Sequence, residues 1–298
     1  IMHSSNEAGA LHLGSSFAVI INSVFNNGTA YSGAAIMINN KLGKYAQMFS
    51  FSNLTITNND GVSTSGVYFH SSIGTIDFTM ENSTISDNSV QFHAVVAMFF
   101  GGVNGDILRF NQLKMSRNLA RTIGGCFYLS TIHSELRFLN CNFTENLLIG
   151  KPFLGGTVLL IFASKESFVF CVNCIFVKNY CDSRSGAVLV QDGNYIDNGS
   201  LFEENYSPFV SSLSFEMFSI ASLHNVSIKG KSTWHTGAIY LKGSAKLVIS
   251  YGTMIYCKSR KGGGVLSVFG SLISLKVFDS KFIKNQGEDD ASFLHGLL

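Results

Sequence analysis

Residues 124–146, GGCFYLSTIHSELRFLNCNFTEN, contain one complete copy of the pattern that decides the fold. Two glycines lead into an apolar run, alternating apolar and polar residues follow, and Phe143 stands three positions before Asn146. Alternation of this kind is typical of half-buried β-strands. One copy is too short to bury its own apolar side chains, so it depends on neighbouring copies for a core.

Copies of this pattern recur along the chain. A large apolar anchor is followed three positions later by Asn in eight copies, while Lys231 and Lys258 replace the Asn in two others. The anchors are 26 to 33 residues apart, which is typical of a solenoid whose stacked turns share one core. The ten anchors are Val24, Ile56, Ile85, Met115, Phe143, Phe176, Phe202, Ile228, Ile255 and Phe282.

These repeats predict an all-β fold, a parallel β-helix solenoid of about ten coils. We expect residues 1–298 to form a single β-helix domain and to be a fragment of a longer solenoid. The repeated Asn is expected to adopt the left-handed αL conformation in a turn and to stack into an amide ladder.

Charge provides a separate check on the repeat register. The position two residues after the anchor alternates in sign along five consecutive copies. In-register stacking places opposite charges side by side there, whereas like charges would destabilise the stack. The column comprises Asp87, Arg117, Glu145, Lys178 and Glu204.

The glycine pairs and the Phe-x-x-Asn motifs carry a family resemblance. Gly124-Gly125-Cys126-Phe127 and Gly155-Gly156-Thr157-Val158, combined with the anchors Phe143 and Phe176, resemble repeats of the polymorphic outer membrane protein family. More broadly the chain resembles the pectin-lyase-like superfamily of parallel β-helices. The resemblance implies a right-handed solenoid on a surface-exposed or secreted protein, often an adhesive one.

Composition excludes several classes of protein. With 46% hydrophobic and 13% charged residues, and a mean hydropathy of +0.25, the chain is too apolar to be disordered. No apolar stretch approaches the ~20 residues of a membrane helix. A net charge of +2 gives no general case for nucleic acid. We therefore expect no nucleic-acid partner, and membrane attachment only through segments outside this chain.

The six cysteines do not predict a metal or redox site. Cys171 and Cys174 form a C-x-x-C motif, but no second pair stands at zinc-binding spacing. Cys141 and Cys174 each precede an anchor by two residues in neighbouring copies. They are expected either to pack as small apolar residues or to join the coils as a disulfide. The remaining cysteines are Cys126, Cys181 and Cys257.

N-glycosylation sequons favour a eukaryotic secretory origin. Asn and Ser/Thr are also favoured in β-helix turns, which weakens the signal of any single sequon. Seven asparagines begin a sequon: Asn27, Asn53, Asn82, Asn142, Asn198, Asn205 and Asn225.

No catalytic constellation is recognisable in the sequence. Glu288-Asp289-Asp290 is the only dense acidic group close to a histidine, His295, and a solvated tail is the stronger interpretation. We therefore predict no catalytic residues, no metal and no cofactor.

One surface feature does suggest binding. One connector contains Lys229, Lys231, Trp234 and His235. The next connector contains three further cations, Lys258, Arg260 and Lys261. Stacking would join the two connectors into a basic edge around the only Trp, suited to an anionic glycan. The alternative is a solvated turn face with the indole packed against lysine stems. The candidate ligand-binding residues are Lys229, Lys231, Trp234, Lys258, Arg260 and Lys261.

The favoured function is a non-enzymatic scaffold, on the cell surface or secreted, that binds glycans or proteins in adhesion. The alternative is a polysaccharide lyase or glycoside hydrolase of the same fold, because fold alone does not separate the two. Partners are expected to be surface glycans or proteins in the extracellular space.

Overall fold

The computed structural model describes residues 9–14, 17–40, 47–71, 75–100, 105–121, 125–130, 133–149, 158–270, 272–287 and 294–297. These residues form an all-β parallel solenoid of about nine turns without a helix, which confirms the predicted fold class. The predicted count of about ten coils is close. The right-handed sense stays a prediction.

Sheet 1 contains the apolar strands that follow the glycines of each repeat, such as Phe127–Ser130 after Gly125. Successive strands pair in parallel, as in Val96 beside Phe127 and Phe127 beside Leu159. Its strands are Leu11–Leu13, Ile36–Asn40, Val67–Ser71, Val96–Phe100, Phe127–Ser130, Leu159–Phe162, Val188–Gln191, Leu213–Glu216, Ile239–Lys242, Leu266–Phe269 and Leu294–Leu297.

Sheet 2 follows sheet 1 in every turn, and its strands alternate between inward and outward side chains, as in Ile76–Glu81. A period of two places one face in the core and the other in solvent. Its strands are Ala18–Ile21, Gln47–Ser52, Ile76–Glu81, Asp106–Asn111, Ser134–Leu139, Phe168–Val172, Asn194–Asn198, Ile220–His224, Lys246–Ser250 and Ser274–Phe278.

Sheet 3 carries the anchors at the centres of three-residue strands. Its strands are Val24–Asn26, Thr55–Thr57, Thr84–Ser86, Lys114–Ser116, Asn142–Thr144, Ile175–Val177, Leu201–Glu203, Ser227–Lys229, Thr253–Ile255 and Lys281–Ile283. Two short-stranded sheets complete the turn. Sheet 4 contains Thr29–Ala30, Asp60–Gly61, Ser89–Val90, Leu119–Ala120, Leu147–Leu148 and Tyr180–Cys181, and sheet 5 contains Ser232–Thr233 and Lys258–Ser259.

The anchors stack into a column inside the solenoid. The rings of Phe143 and Phe176 lie 4.7 Å apart and nearly parallel, and those of Phe176 and Phe202 lie 4.8 Å apart. These separations equal the spacing of neighbouring strands, so each ring rests on the ring of the previous turn. The three rings are fully buried.

Two predicted anchors were one residue out of register. Phe25, not Val24, pairs with Ile56, and Val24 is 69% exposed. Near the other end Met254, not Ile255, lies between Ile228 and Phe282. A shift of one residue moves a side chain to the opposite face of a strand, so the inward-facing residue is the true anchor.

The asparagine ladder is confirmed, but its conformation was predicted wrongly. Asn88 Nδ2 donates to Asn118 Oδ1 over 3.0 Å, and Asn118 Nδ2 donates to Asn146 Oδ1 over 3.0 Å. The residue before each ladder Asn, such as Arg117 with φ 52°, adopts αL instead. The continuous ladder contains Asn59, Asn88, Asn118, Asn146, Asn179 and Asn205, all buried.

The ladder register also corrects two predicted ladder positions, Asn27 and Lys258. Gly28 occupies the ladder position of the first turn, because its N–H donates to Asn59 Oδ1 over 2.8 Å. In the ninth turn Cys257, not Lys258, occupies this position, and its N–H donates to Asn285 Oδ1 over 2.9 Å. Lys258 therefore lies one residue further along, in the strand of sheet 5.

The alternating charges occupy the αL column beside the ladder. Arg117 binds Asp87 through two hydrogen bonds, Nε to Oδ1 over 2.7 Å and Nη2 to Oδ2 over 2.8 Å. The bond from Arg117 lowers the pKa of the Asp87 carboxyl. Among the described residues, Arg117 and Asp87 are the one pair of the charge column whose charged atoms lie within 4.0 Å of each other.

Candidate functional site

The structure brings the two basic connectors together at one corner of the solenoid. Ser232–Thr233 and Lys258–Ser259 pair as parallel strands in consecutive turns. Beyond them, Arg260 N donates to Thr233 O over 3.0 Å and Lys261 N donates to Trp234 O over 2.7 Å. The basic edge, defined as Lys229, Lys231, Trp234, Lys258, Arg260 and Lys261, is therefore one continuous surface.

Buried small residues hold these connectors rigidly beneath the edge. Thr233 is 2% exposed, and its Oγ1 donates to Thr236 O over 2.7 Å. The turns approach so closely that a Cβ on Gly237 would lie 1.8 Å from Gly264 O. Only glycine fits there, because any other side chain would collide with the backbone of the next turn.

The indole of Trp234 carries cations from the following turn. Arg260 Cζ lies 5.1 Å from the ring centroid and Lys261 Nζ lies 5.5 Å from it, while the Trp234 side chain remains 46% exposed. Both distances lie within the range of cation–π attraction. The indole therefore positions two cations, which is close to the packing alternative drawn from the sequence.

Lys229 differs from the other cations of the basic edge. Its Nζ forms an ion pair with Glu203 of the previous turn, and this bond raises the pKa of Lys229. For Lys231, Lys258, Arg260 and Lys261, the described residues include no acidic partner within 4.0 Å. The acidic residues 288–290 lie outside the described residues.

His235 does not add a charge to this edge. Its ring lies 4.6 Å from that of Phe209. Burial and, to a smaller extent, the charge of Lys261 lower the pKa of His235, so the imidazole is neutral at pH 7. The positive charge of the edge at neutral pH thus comes from Lys and Arg alone.

Six of the seven sequon asparagines have accessible side chains. Asn53, Asn82 and Asn225 adopt αL at the exposed corner between sheets 2 and 3, and Asn198 is exposed beside the same corner. Asn27 is exposed in another turn, while Asn142 is half-buried and accepts a hydrogen bond from Thr144 Oγ1.

Asn205 is the exception among the sequons. It is fully buried as a member of the ladder, where its Nδ2 donates to Phe176 O over 2.7 Å and its Oδ1 accepts from Asn179. This fold has no room for a glycan on the Asn205 amide.

The cysteines are buried thiols. Cys141 and Cys174 occupy neighbouring turns, and each Sγ lies 3.4 Å from a carbonyl oxygen, of Phe110 and Phe138 respectively. Burial raises the pKa of Cys181 to about 12, which keeps this thiol protonated. Of the two arrangements considered for Cys141 and Cys174, the structure contains packed thiols.

Two buried carboxyls escaped the sequence reasoning. Tyr195 Oη donates to Asp197 Oδ2 over 2.8 Å, and burial raises the pKa of Asp197 to about 7. Asp106 Oδ1 accepts a hydrogen bond from Ile76 N over 2.8 Å, and burial raises its pKa to about 6. The alternation of the Asn194–Asn198 strand already places Tyr195 and Asp197 on one face. Both carboxyls are shielded from a substrate by the turns around them.

Comparisons with known proteins add no assignment. No family model matches the chain, and no curated protein or solved structure matches it. In the described part of the chain, no cluster of three or more His, Cys, Asp or Glu side chains could hold a metal ion. A helix long and apolar enough to cross a membrane is likewise missing from the residues described.

Proposed function

We propose that this chain is a non-enzymatic β-helix scaffold, on the cell surface or secreted, that binds an anionic glycan along the basic edge. The observation that carries the proposal is the set of four cations on two stacked turns around Trp234. None of the four has an acidic partner among the described residues.

The geometry of the edge suits a polymer with repeated negative groups. Neighbouring turns lie about 4.8 Å apart, so cations on successive turns form a closely spaced row. The guanidinium of Arg260 can donate two parallel hydrogen bonds to a sulfate or carboxylate, whereas lysines act as point charges. Because Arg260 and Lys261 rest on Trp234, part of the cost of ordering them is met before binding.

The burial of three acids supports a binding role over catalysis at those positions. Asp197 and Asp106 are buried in the solenoid, and Glu216 is occupied by Arg184, whose Nη1 lies 2.6 Å from Glu216 Oε2. Polysaccharide hydrolysis needs two accessible carboxyls at a defined separation. The exposure of five sequon asparagines supports an extracellular location.

Titration with heparin tests the proposal, with neutral dextran as the reference polymer. The variant Lys258→Ala/Arg260→Ala/Lys261→Ala is compared with Lys114→Ala/Lys276→Ala/Lys281→Ala, which removes the same charge from exposed positions elsewhere. We expect saturable heparin binding that is weakened about ten-fold in the edge variant and less than about two-fold in the control. Equal losses in the two variants would mean that net charge, not the edge, attracts heparin.

A further inference from the structure

A concave site lies at a different corner of the solenoid from the basic edge, between sheets 1 and 2. It has a volume of about 330 Å³. The connector 192–193 is two residues long, while its neighbours 163–167 and 217–219 contain five and three residues. The cavity exists because the short connector leaves a gap between two longer ones.

The floor of the cavity is bare backbone at Gly193. This residue has φ +83°, and a Cβ there would lie 2.8 Å from Ala163 Cβ. Lys165 spans the gap above the short connector, with its Nζ 4.3 Å from the centroid of the Phe218 ring. The cation–π contact joins the turns on either side and forms one rim of the cavity.

The wall along sheet 2 combines polar and apolar groups in one register column. Asn194, Ile220 and Lys246 stand beside one another in consecutive turns. Leu272 completes the lining and is 69% exposed, while Phe218 is 52% exposed. Large apolar side chains that border a cavity together at such exposure are typical of a binding site.

The charge of the cavity is positive. Lys165 and Lys246 both line it. Among the described residues, no acidic side chain lies within 4.0 Å of either ammonium group. Two carboxylates on these connectors do not line the cavity: Asp192 Oδ1 accepts from Phe218 N over 3.2 Å, and Glu166 accepts from Ser164 Oγ over 3.1 Å and lies 3.5 Å from His133 Nδ1.

We propose that this cavity binds a small amphipathic carboxylate, an aromatic or branched aliphatic group that bears one negative charge. The apolar body would cover Phe218, Ile220 and Leu272, and the carboxylate would bind the ammonium groups of Lys165 and Lys246. The volume lies at the lower end of the range for small-molecule pockets, which fits one ring and its substituent. The cavity is separate from the basic edge, because a whole strand of sheet 1 lies between the two corners.

The test uses 3-phenylpropionate and its neutral analogue 3-phenylpropanamide, which differ only in charge. Binding is followed by ligand-observed NMR and by chemical shifts of the labelled chain. We expect the carboxylate to saturate the site and to bind about five-fold more tightly than the amide. A pentapeptide ending in Phe distinguishes the source of the group: tighter binding than phenylpropionate would assign the site to a polypeptide C-terminus, and equal or weaker binding to a free carboxylate.

Matched variants localise the site. Lys246→Ala and Phe218→Ala should each weaken phenylpropionate at least about three-fold, whereas their neighbours Lys242→Ala and Met217→Ala, which do not line the cavity, should not. The triple variant of the basic edge should leave this binding unchanged. Equal affinity for carboxylate and amide, or equal effects of lining and neighbouring variants, would overturn the proposal without bearing on heparin binding.

Discussion

Replacing Asn118 by Ala tests the ladder that connects the turns. Asn118 Nδ2 donates to Ile85 O over 2.9 Å and to Asn146 Oδ1 over 3.0 Å. Its Oδ1 accepts from Asn88 N over 3.2 Å and from Asn88 Nδ2 over 3.0 Å. The substitution therefore leaves the Asn88 N–H and the Ile85 carbonyl, both in the preceding turn, without these partners, whereas Asn146 Oδ1 still accepts from the backbone N–H of residue 118.

The expected cost follows from those lost partners. A buried polar group left without a hydrogen bond costs about 1 to 3 kcal/mol, and about two such groups remain after small shifts of the backbone. We expect Asn118→Ala to lower the free energy of unfolding by about 3 to 5 kcal/mol. The assay is chemical denaturation followed by circular dichroism, with hydrogen exchange of the Asn88 amide as a local reporter.

Asn140→Ala is the matched control, because Asn140 is exposed and adopts αL with φ 52°. Its replacement costs about 1 kcal/mol of backbone strain and breaks no ladder bond. A loss at Asn118 no larger than the loss at Asn140, with unchanged exchange at Asn88, would refute the view that the ladder holds the turns together.

Further predictions concern the buried carboxyls, the core and the charge column. The pKa of Asp197 is raised from 3.8 to about 7, so the folded state binds a proton that the unfolded state has released. Asp197 should therefore contribute up to about 4 kcal/mol to a fall in stability between pH 4 and pH 7, measured by denaturation, and Asp197→Asn should remove this contribution. Asp106, with a pKa of about 6, should contribute a smaller fall in the same direction, which Asp197→Asn leaves in place. Phe176→Ala should cost about 3 to 5 kcal/mol in the same assay, since its ring packs between two others; a loss below 1 kcal/mol would contradict the stacked column. Arg117→Ala should cost less than about 1 kcal/mol and raise the pKa of Asp87 measured by NMR, because the pair is largely exposed; an unchanged pKa would argue against the contact.

The sequence repeat was enough to predict the solenoid, whereas the register of its strands could be predicted only in part. Thr253-Met254-Ile255 offers two adjacent residues of similar apolarity, and only the pairing of neighbouring turns shows which one points inward. At the first turn Val24 and Phe25 present the same ambiguity. Strand alternation fixes the face only when its phase is known, and short strands of three residues contain too little pattern to set it.

The candidate site shows the same limit. Stacking of the two basic connectors follows from the repeat, so their proximity could be predicted. The ion pair of Lys229 with Glu203, and the position of Arg260 over Trp234, depend on rotamers of long side chains that a sequence does not specify. The burial of Asn205 could have been predicted, because its sequon coincides with the ladder position of the repeat.

The cavity between sheets 1 and 2 could not be predicted from motifs. It arises from a difference in length between three consecutive connectors, which matters only when the turns are stacked in register. Lys165 and Phe218 are far apart in sequence and separately unremarkable. Their contact across the short connector exists only in the folded solenoid.

We propose above that the chain binds an anionic glycan without cleaving it. The most direct test is a glycan array probed with the whole chain, followed by assays for reducing sugars and for unsaturated products on every glycan that binds. We predict binding restricted to sulfated or carboxylated glycans, loss of this binding with Trp234→Ala/Lys258→Ala, and no product from any of the glycans. Turnover of a bound polysaccharide, or binding that survives loss of the basic edge, would contradict it.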